Sequence, residues 1–168
     1  MIDFKNYIQA VPDFPKKGIL FQDLSPLFAN PGAFSLAIDQ MMSLFDLKQI
    51  ETFAGVESRG FILASAMAIR SGKGLSLIRK GGKLPPPVNG IDYELEYGHA
   101  RLEMKPGKGR LVIVDDVLAT GGTIQASVSL AKQSGYEVVD VGFLLNIASL
   151  NQFRYGAADQ AKALVTIG

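Results

Sequence analysis

The chain has 168 residues, with 17 Lys plus Arg against 16 Asp plus Glu, 48% hydrophobic residues and no cysteine. That length suits one domain with a full core, and a net charge of +1 offers no broad basic surface to a nucleic acid. Without cysteine there is no disulfide scaffold, thiol nucleophile or thiolate metal site, and a single histidine, His99, rules out a multi-histidine metal site.

The longest uncharged apolar stretch, Gly60 to Ile69, stops at Arg70 and is too short to span a bilayer. Met1 leads into Asp3, Phe4 and Lys5 with no basic-then-apolar leader, so a cytoplasmic chain without a membrane partner is expected. Asp3 to Ala10 reads as a short amphipathic helix closed by Pro12. Residues 13–24, DFPKKGILFQDL, read as a turn and a short apolar strand able to fold over a ligand. On the residues alone, Phe21 is core.

Asn30-Pro31 is a cap followed by a first helical residue. Behind it Phe34, Ile38, Met41 and Phe45 recur at helical spacing and belong to the core. Thr52 to Val56 is the next buried strand. It runs into Glu57-Ser58-Arg59-Gly60 and then a helix holding Phe61, Ala64, Ala68 and Ile69. Strand, turn and helix start in that order can build an anion site, with Arg59 as a forked donor. A plain helix N-terminus with an exposed arginine fits the spacing equally.

Gly74 to Ile78 is a further strand, ended by Arg79, Lys80, Gly81, Gly82 and Lys83. Such a run is usually a solvated turn; beside an anion site it is counter-charge. Pro85-Pro86-Pro87 and an Asn89-Gly90 turn open a segment with little core signal. Residues 93–104, YELEYGHARLEM, alternate and break at Gly98-His99, the pattern of a hairpin. Charged on one side and aromatic on the other, it reads as a weakly held lid, which suits chemistry that must exclude water. Taken alone, Glu96 is a solvent-facing hairpin acid and His99 a loop-tip residue.

Arg110 to Ser127, RLVIVDDVLATGGTIQAS, is the stretch around which the rest is organised. Leu111 to Val114 read as a buried strand with Asp115 and Asp116 at its carboxyl end. Thr120, Gly121, Gly122 and Thr123 then open a helix with Ile124, Val128 and Ala131 on one face. Ligands of open α/β sheets lie at this edge, where helix N-termini aim free N–H groups and partial positive charge. Glycine lets the backbone approach an anion and turn its amides inward. A carboxylate would repel that anion, so the two acids should face ribose hydroxyls or a divalent metal. A phosphorylated sugar satisfies the whole stretch. An ordinary helix-capping turn is the plainer reading, but two acids after a four-residue apolar strand favour function.

Glu137 to Ile147 is a strongly apolar strand interrupted by Asp140, and Leu145 to Ala148 at its carboxyl end should face the cleft. The tail reads as a short helix and a final strand, Leu164 to Ile167. P-loop and dinucleotide-fingerprint spacings are absent, which argues against a nucleotide hydrolase and a Rossmann dehydrogenase.

VIVDDVLATGGT resembles the phosphoribosyl-diphosphate-binding motif of the type I phosphoribosyltransferases. FPKKGILFQDLSPLFANP at 14–31, GVESRGF at 55–61, LIRKGGKLPPP at 77–87 and YELEYG at 93–98 resemble, in that order, the adenine branch of the family. The resemblance implies a single α/β domain over residues 1–168: a mostly parallel sheet flanked by helices. A hood from about 10–25 and the C-terminal segment would cover it, with a flexible lid at about 83–106. It implies transfer of a 5-phosphoribosyl group from phosphoribosyl diphosphate to adenine, giving AMP and diphosphate in purine salvage. Mg²⁺ would be carried mainly on substrate oxygens and waters, with no protein metal cage. It implies a homodimer, with some cations of 79–83 reaching across the interface.

The same resemblance assigns the site. Glu96 matches the catalytic glutamate. Asp115 and Asp116 would hold the ribose, and Ala119, Thr120, Gly121, Gly122 and Thr123 the 5-phosphate. Glu57, Ser58, Arg59, Arg79, Lys80 and Lys83 would serve the diphosphate, with a cis peptide at Glu57–Ser58. Leu20, Phe21 and Gln22 would meet the adenine, Phe21 by stacking and Leu20 through its backbone. Two departures stand out: Gln22 replaces the family's usual arginine, and the segment between Met104 and Gly107 is short. Gln22 leaves hypoxanthine, guanine or orotate as alternative bases. A ligand-sensing regulator on the same fold is a further alternative, though no helix-turn-helix or basic DNA-facing run is present. A phosphosugar enzyme that forms no nucleotide is the last.

Overall fold

A computed structural model describes residues 2–95, 98–157 and 160–168. Its main sheet has seven strands: β3 (Thr52–Val56), β4 (Gly74–Lys80), β5 (Asn89–Leu95), β6 (Gly98–Met104), β7 (Gly109–Leu118), β8 (Tyr136–Ile147) and β9 (Lys162–Ile167). Their order is β5-β6-β4-β3-β7-β8-β9. The run from β4 to β9 is parallel, and β6 and β5 join antiparallel at one edge. This is the mostly parallel α/β architecture that the resemblance implied. Helices α2 (Pro31–Met42), α3 (Gly60–Ser71) and α4 (Gly122–Gln133) flank the sheet, and a one-turn helix α1 (Ser25–Ala29) precedes α2.

Alternation along β7 shows how the core is divided. Successive side chains of a strand face opposite sides of its sheet. Val112 and Val114 pack with Ile38, Met41, Leu63 and Met67 of α2 and α3. Leu111 and Ile113 pack with Ile124, Leu130 and Ala131 of α4. The next residues, Asp115 and Asp116, inherit that alternation. At the start of α2, Asn30 accepts a hydrogen bond from the Ala33 amide at 2.9 Å, the cap that the Asn-Pro pair foretold.

Four local readings change. The N-terminal helix shrinks to a 3₁₀ turn, Phe4–Tyr7, capped by Asp3 through the Lys5 amide at 3.0 Å. Residues Gln9–Pro12 instead form β1, paired antiparallel with β2 (Leu20–Asp23) in a separate two-stranded sheet. Pro12 is accommodated at the end of an edge strand, where its missing N–H breaks no ladder. Asn89-Gly90 opens β5 instead of turning, because the ladder runs from Asn89↔Met104 to Leu95↔Gly98. Gly98 and His99 therefore lie in that ladder. β6 also bonds to β4, so the two strands that fall within the expected lid, β5 and β6, are the outer pair of the main sheet. In the tail, a 3₁₀ turn (Ala148–Leu150) precedes β9, and the described residues between the two hold no helix, where a short one was expected. Among the described residues no helix is long and apolar enough to cross a membrane.

Candidate functional site

Two strand-to-helix turns meet at the carboxyl edge of adjacent parallel strands, β3 and β7. At the end of β7 the chain passes Ala119 and Thr120 to Gly121, whose φ of +90° is a left-handed conformation that glycine adopts without steric cost. Gly121 is the N-cap of α4 and no side chain caps that end, so the first amides of the helix stay available to an anion. A cavity of about 100 Å³ lies there, lined by Asp115, Thr120, Gly121, Thr123, Ile124 and Phe143 among others. Ala119 lines it too. Gly122 begins the helix beside β5: a Cβ on it would stand 3.8 Å from the Glu94 carbonyl oxygen. Tyr93 of β5 brings its hydroxyl to 3.5 Å from Thr123 Oγ1.

The acids part company as strand alternation requires. Asp115 lines the small cavity with the Thr/Gly turn, and Asp116 lines the larger cleft. Asp115 Oδ1 accepts a hydrogen bond from the Asp116 amide at 2.9 Å. Burial first, and the neighbouring Asp116 charge second, push the Asp115 carboxyl well above the ordinary carboxylate range. Gly60 explains part of that crowding. A Cβ there would stand 2.8 Å from the Val114 carbonyl oxygen and 2.9 Å from Asp115 Oδ1, so glycine lets α3 start against β7.

At the end of β3 the Glu57–Ser58 peptide is cis, as the resemblance implied. The Glu57 side chain is only 7% exposed. Its Oε1 lies 2.7 Å from Lys83 Nζ, and its Oε2 accepts from Arg79 Nε at 3.2 Å and from the Lys80 amide at 3.0 Å. Burial alone would raise this carboxyl; Lys83, the Lys80 amide and Arg79 more than offset it and hold the pKa at about 2. The cations expected to face a diphosphate are thus gathered by a glutamate, and Lys80 joins through its backbone. Ser58 is exposed on the same turn. Arg59 turns the other way: its Nε lies 2.6 Å from Asp116 Oδ2 and Nη1 donates to the Gln22 carbonyl at 3.1 Å.

A larger cleft, about 650 Å³, opens between the hood sheet and this edge. Leu20, Phe21 and Gln22 line one side, Arg59, Asp116, Ala119 and Thr120 the floor, and Ile147, Ser149 and Leu150 the far wall. Leu20 is 56% exposed and Gln22 7%. Phe14 meets Phe21 edge-on, with ring centroids 5.1 Å apart. The far wall lies slightly beyond the stretch expected, since the strand continues to Ile147 before turning. Ile19, Ser149, Leu150 and Phe153 carry no local signal of a role. Phe153 packs edge-on against Phe143 at 5.9 Å and stands 3.7 Å from where a Cβ on Gly121 would be, a contact only the folded chain creates. Glu96 lies outside the described residues.

Residues 27–156 match the phosphoribosyl transferase domain family. The adenine phosphoribosyltransferase of Bdellovibrio bacteriovorus is 51% identical over 92% of this chain and 93% of its own length. The chain belongs to the adenine phosphoribosyltransferase family. The crystal structure of the family member from Rhodothermus marinus superimposes with a TM-score of 0.88 at 38% identity, covering 98% of this chain and 96% of that one. That of the Saccharomyces cerevisiae enzyme, complexed with D-2,5-dideoxy-2,5-imino-altritol 1,6-bisphosphate and adenine, gives 0.81 at 35% identity over 88% of each chain.

For this member of the family the donors suit a cation that arrives on its substrate. Asp116 Oδ2 is buried and has no hydrogen-bond donor; the close approach of Arg59 Nε is an ion pair without hydrogen-bond alignment. Asp116, which lines the larger cleft, is the carboxylate that would meet such an ion beside substrate oxygens. Among the described residues no group of three or more histidines or carboxylates converges as a metal cage.

Proposed function

We propose that this chain transfers the 5-phosphoribosyl group of phosphoribosyl diphosphate to adenine, releasing AMP and diphosphate; its relatives are named for phosphoribosyl transfer to adenine. One observation carries the reading. The 650 Å³ cleft and the 100 Å³ cavity share Val117, Ala119 and Thr120 as a common wall. A ligand with an aromatic base at one end and a phosphate at the other spans them, with its sugar beside the acids. The adenine and bisphosphate analogue named in the yeast relative's complex have that shape between them.

In this reading the amides and hydroxyls of 119–123 hold the 5-phosphate, and Asp116, with Asp115 behind it, orients the ribose hydroxyls. Phe21 stacks on the base while the Leu20 backbone and Gln22 meet its edge. As the bond from C1 to diphosphate breaks, the sugar gains positive charge and the leaving group negative charge. In the same reading Arg59, Arg79 and Lys83 absorb the latter, with Glu57 and the turn of Ser58 and Lys80 keeping them in place. Mg²⁺ on the substrate oxygens would neutralise part of the same charge. Glu96 serves the base nitrogen whose protonation changes during transfer. Holding sugar and base together supplies much of the remaining rate.

The exposed face of α3 supports a homodimer. Ile62 and Ile69, seven residues apart and so on one side of the helix, are both exposed, as is Leu75 of β4. Sedimentation should give twice the chain mass, and Ile69→Glu should shift it toward one chain. A cytoplasmic location completes the proposal.

The deciding experiment mixes the protein with Mg²⁺, phosphoribosyl diphosphate and each purine or orotate in turn, and identifies the nucleotide. AMP from adenine alone is expected. Product from hypoxanthine, guanine or orotate instead reassigns the base. Diphosphate release without any base points to a phosphosugar enzyme, and binding without turnover to a sensor. Glu96→Gln should slow turnover by roughly a hundredfold, within the usual range for a general acid or base, with little change in sugar affinity; full activity would remove Glu96 from its role.

A further inference from the structure

Phe21, the ring proposed to stack on the base, already carries a group of the protein itself on a face, and both residues line the same cleft. The Arg59 guanidinium carbon stands 4.9 Å from the Phe21 ring centroid. The same side chain donates to the Gln22 carbonyl at 3.1 Å and pairs with Asp116 Oδ2 at 2.6 Å. One group thus joins three parts of the molecule: the hood strand β2, the turn after β3 and the acidic end of β7. A guanidinium is planar and lies on an aromatic face much as a nucleobase does, so the two compete for the same surface. Resting on the function proposed above, we propose that Arg59 is a positioning residue that acts as a placeholder for the base. It holds Phe21 and the hood strand ready, and it yields the ring when a diphosphate draws it away.

The physical chemistry favours that exchange. Arg59 is one-third exposed, 33% by side chain, so it can swing without unpacking the core. Forked pairing with phosphate oxygens replaces the Asp116 ion pair with a charge-assisted pair of the same kind, and it exceeds the contacts with a ring and a neutral carbonyl that are given up with it. The Asp116 carboxylate left behind is nearly buried, and its Oδ2 has no hydrogen-bond donor, which suits it to a ribose hydroxyl arriving in the same step. Anion and base binding are then coupled through one side chain, and the coupling is reciprocal.

Calorimetric titration of adenine into the wild-type protein, Arg59→Gln and Arg59→Lys, each with and without inorganic diphosphate plus Mg²⁺, tests this. Diphosphate should tighten adenine binding to the wild type by about tenfold, the change that ~1.4 kcal/mol of coupling produces. Arg59→Gln should bind adenine without diphosphate about as tightly as the wild type does with it, and show no further gain. Arg59→Lys, which keeps the charge but loses the planar fork, should fall between. The decisive value is adenine affinity in the absence of diphosphate: if Arg59→Gln is equal to the wild type or weaker, Arg59 is only a structural ion pair and the proposal fails. Thermal melts establish that each variant is folded, and Arg59→Lys decides by the same criterion if Arg59→Gln is not. A wild type that makes AMP yet shows no coupling overturns this inference alone. One that binds no adenine in either buffer overturns the proposed function with it.

Discussion

At Gly121 the chain leaves β7 through a left-handed glycine and presents backbone amides with no side chain capping them. At Glu57 to Gly60 it leaves β3 through a turn whose charges are spoken for: Glu57 by Lys83 and Arg79, Arg59 by Asp116. The two turns sit on neighbouring strands and face the same edge, yet one offers fixed dipoles and the other paired ions. Fixed dipoles need no rearrangement to meet a phosphate that both substrate and product carry. Ion pairs can be exchanged, which suits a group that must be held and then released. On that view the first turn is broken by backbone changes and the second by charge changes.

Gly121→Val should have the largest effect. A β-branched residue at φ +90° costs about 1–2 kcal/mol or more in backbone strain. Affinity for ribose 5-phosphate, by calorimetry, should fall roughly ten- to a hundredfold while adenine affinity holds. Equal losses for both ligands would mean that the turn supports the whole cleft. Asp116→Asn comes next: it removes the charged partner of Arg59 together with the proposed ribose-binding carboxylate, and sugar affinity should drop about tenfold, consistent with the loss of a charged hydrogen bond.

Glu57→Gln tests the second turn more gently. The folded carboxyl sits at about 2 against an ordinary value of 4.5, so ionisation stabilises the fold. That contribution is complete above about pH 4.5 and is lost as pH falls toward 2. Denaturant melts at stepped pH should show the wild type weakening through this window, and Glu57→Gln both flatter there and about 1–2 kcal/mol less stable at neutral pH. The smallest effect has the opposite sign. Burial and the Asp116 charge raise the Asp115 pKa, so its ionised form costs stability that protonation restores as pH falls. Asp115→Asn keeps an acceptor for the Asp116 amide and should raise Tm by about 2–4 °C per kcal/mol relieved, at some loss of turnover. A lower Tm would show that the acid is stabilised by contacts its burial conceals.

Reading the residues in order reached far into this fold because its signals are local. Val112 and Val114 against Leu111 and Ile113 mark a strand buried on both faces, and Asn30-Pro31 marks a helix start. Thr120 to Thr123 mark a turn whose glycines need special backbone angles. Where signals compete, order along the chain misleads. Gln9 and Ala10 fall at the end of a segment that reads as a helix, yet Gln9 to Pro12 pair with β2, because the hood gives them a partner that periodicity does not see. Asn89-Gly90 has the composition of a turn, yet β6 supplies ladder bonds that override it. The cations of 79–83 were legible as counter-charge, but nothing local announces that Glu57, more than twenty residues earlier in the chain, gathers them.

The sequence by itself determined the parallel α/β frame, the acidic strand end and the amide-rich turn, since each depends on neighbours a few residues away and on backbone angles those residues prefer. Only the tertiary structure decided which charges meet. Asp115 and Asp116 face different cavities, Arg59 spans from Asp116 to the hood, and Phe153 backs Gly121, because side-chain direction on a strand and the packing of distant segments set those encounters. They are long-range contacts, and their partners are chosen by the fold as a whole.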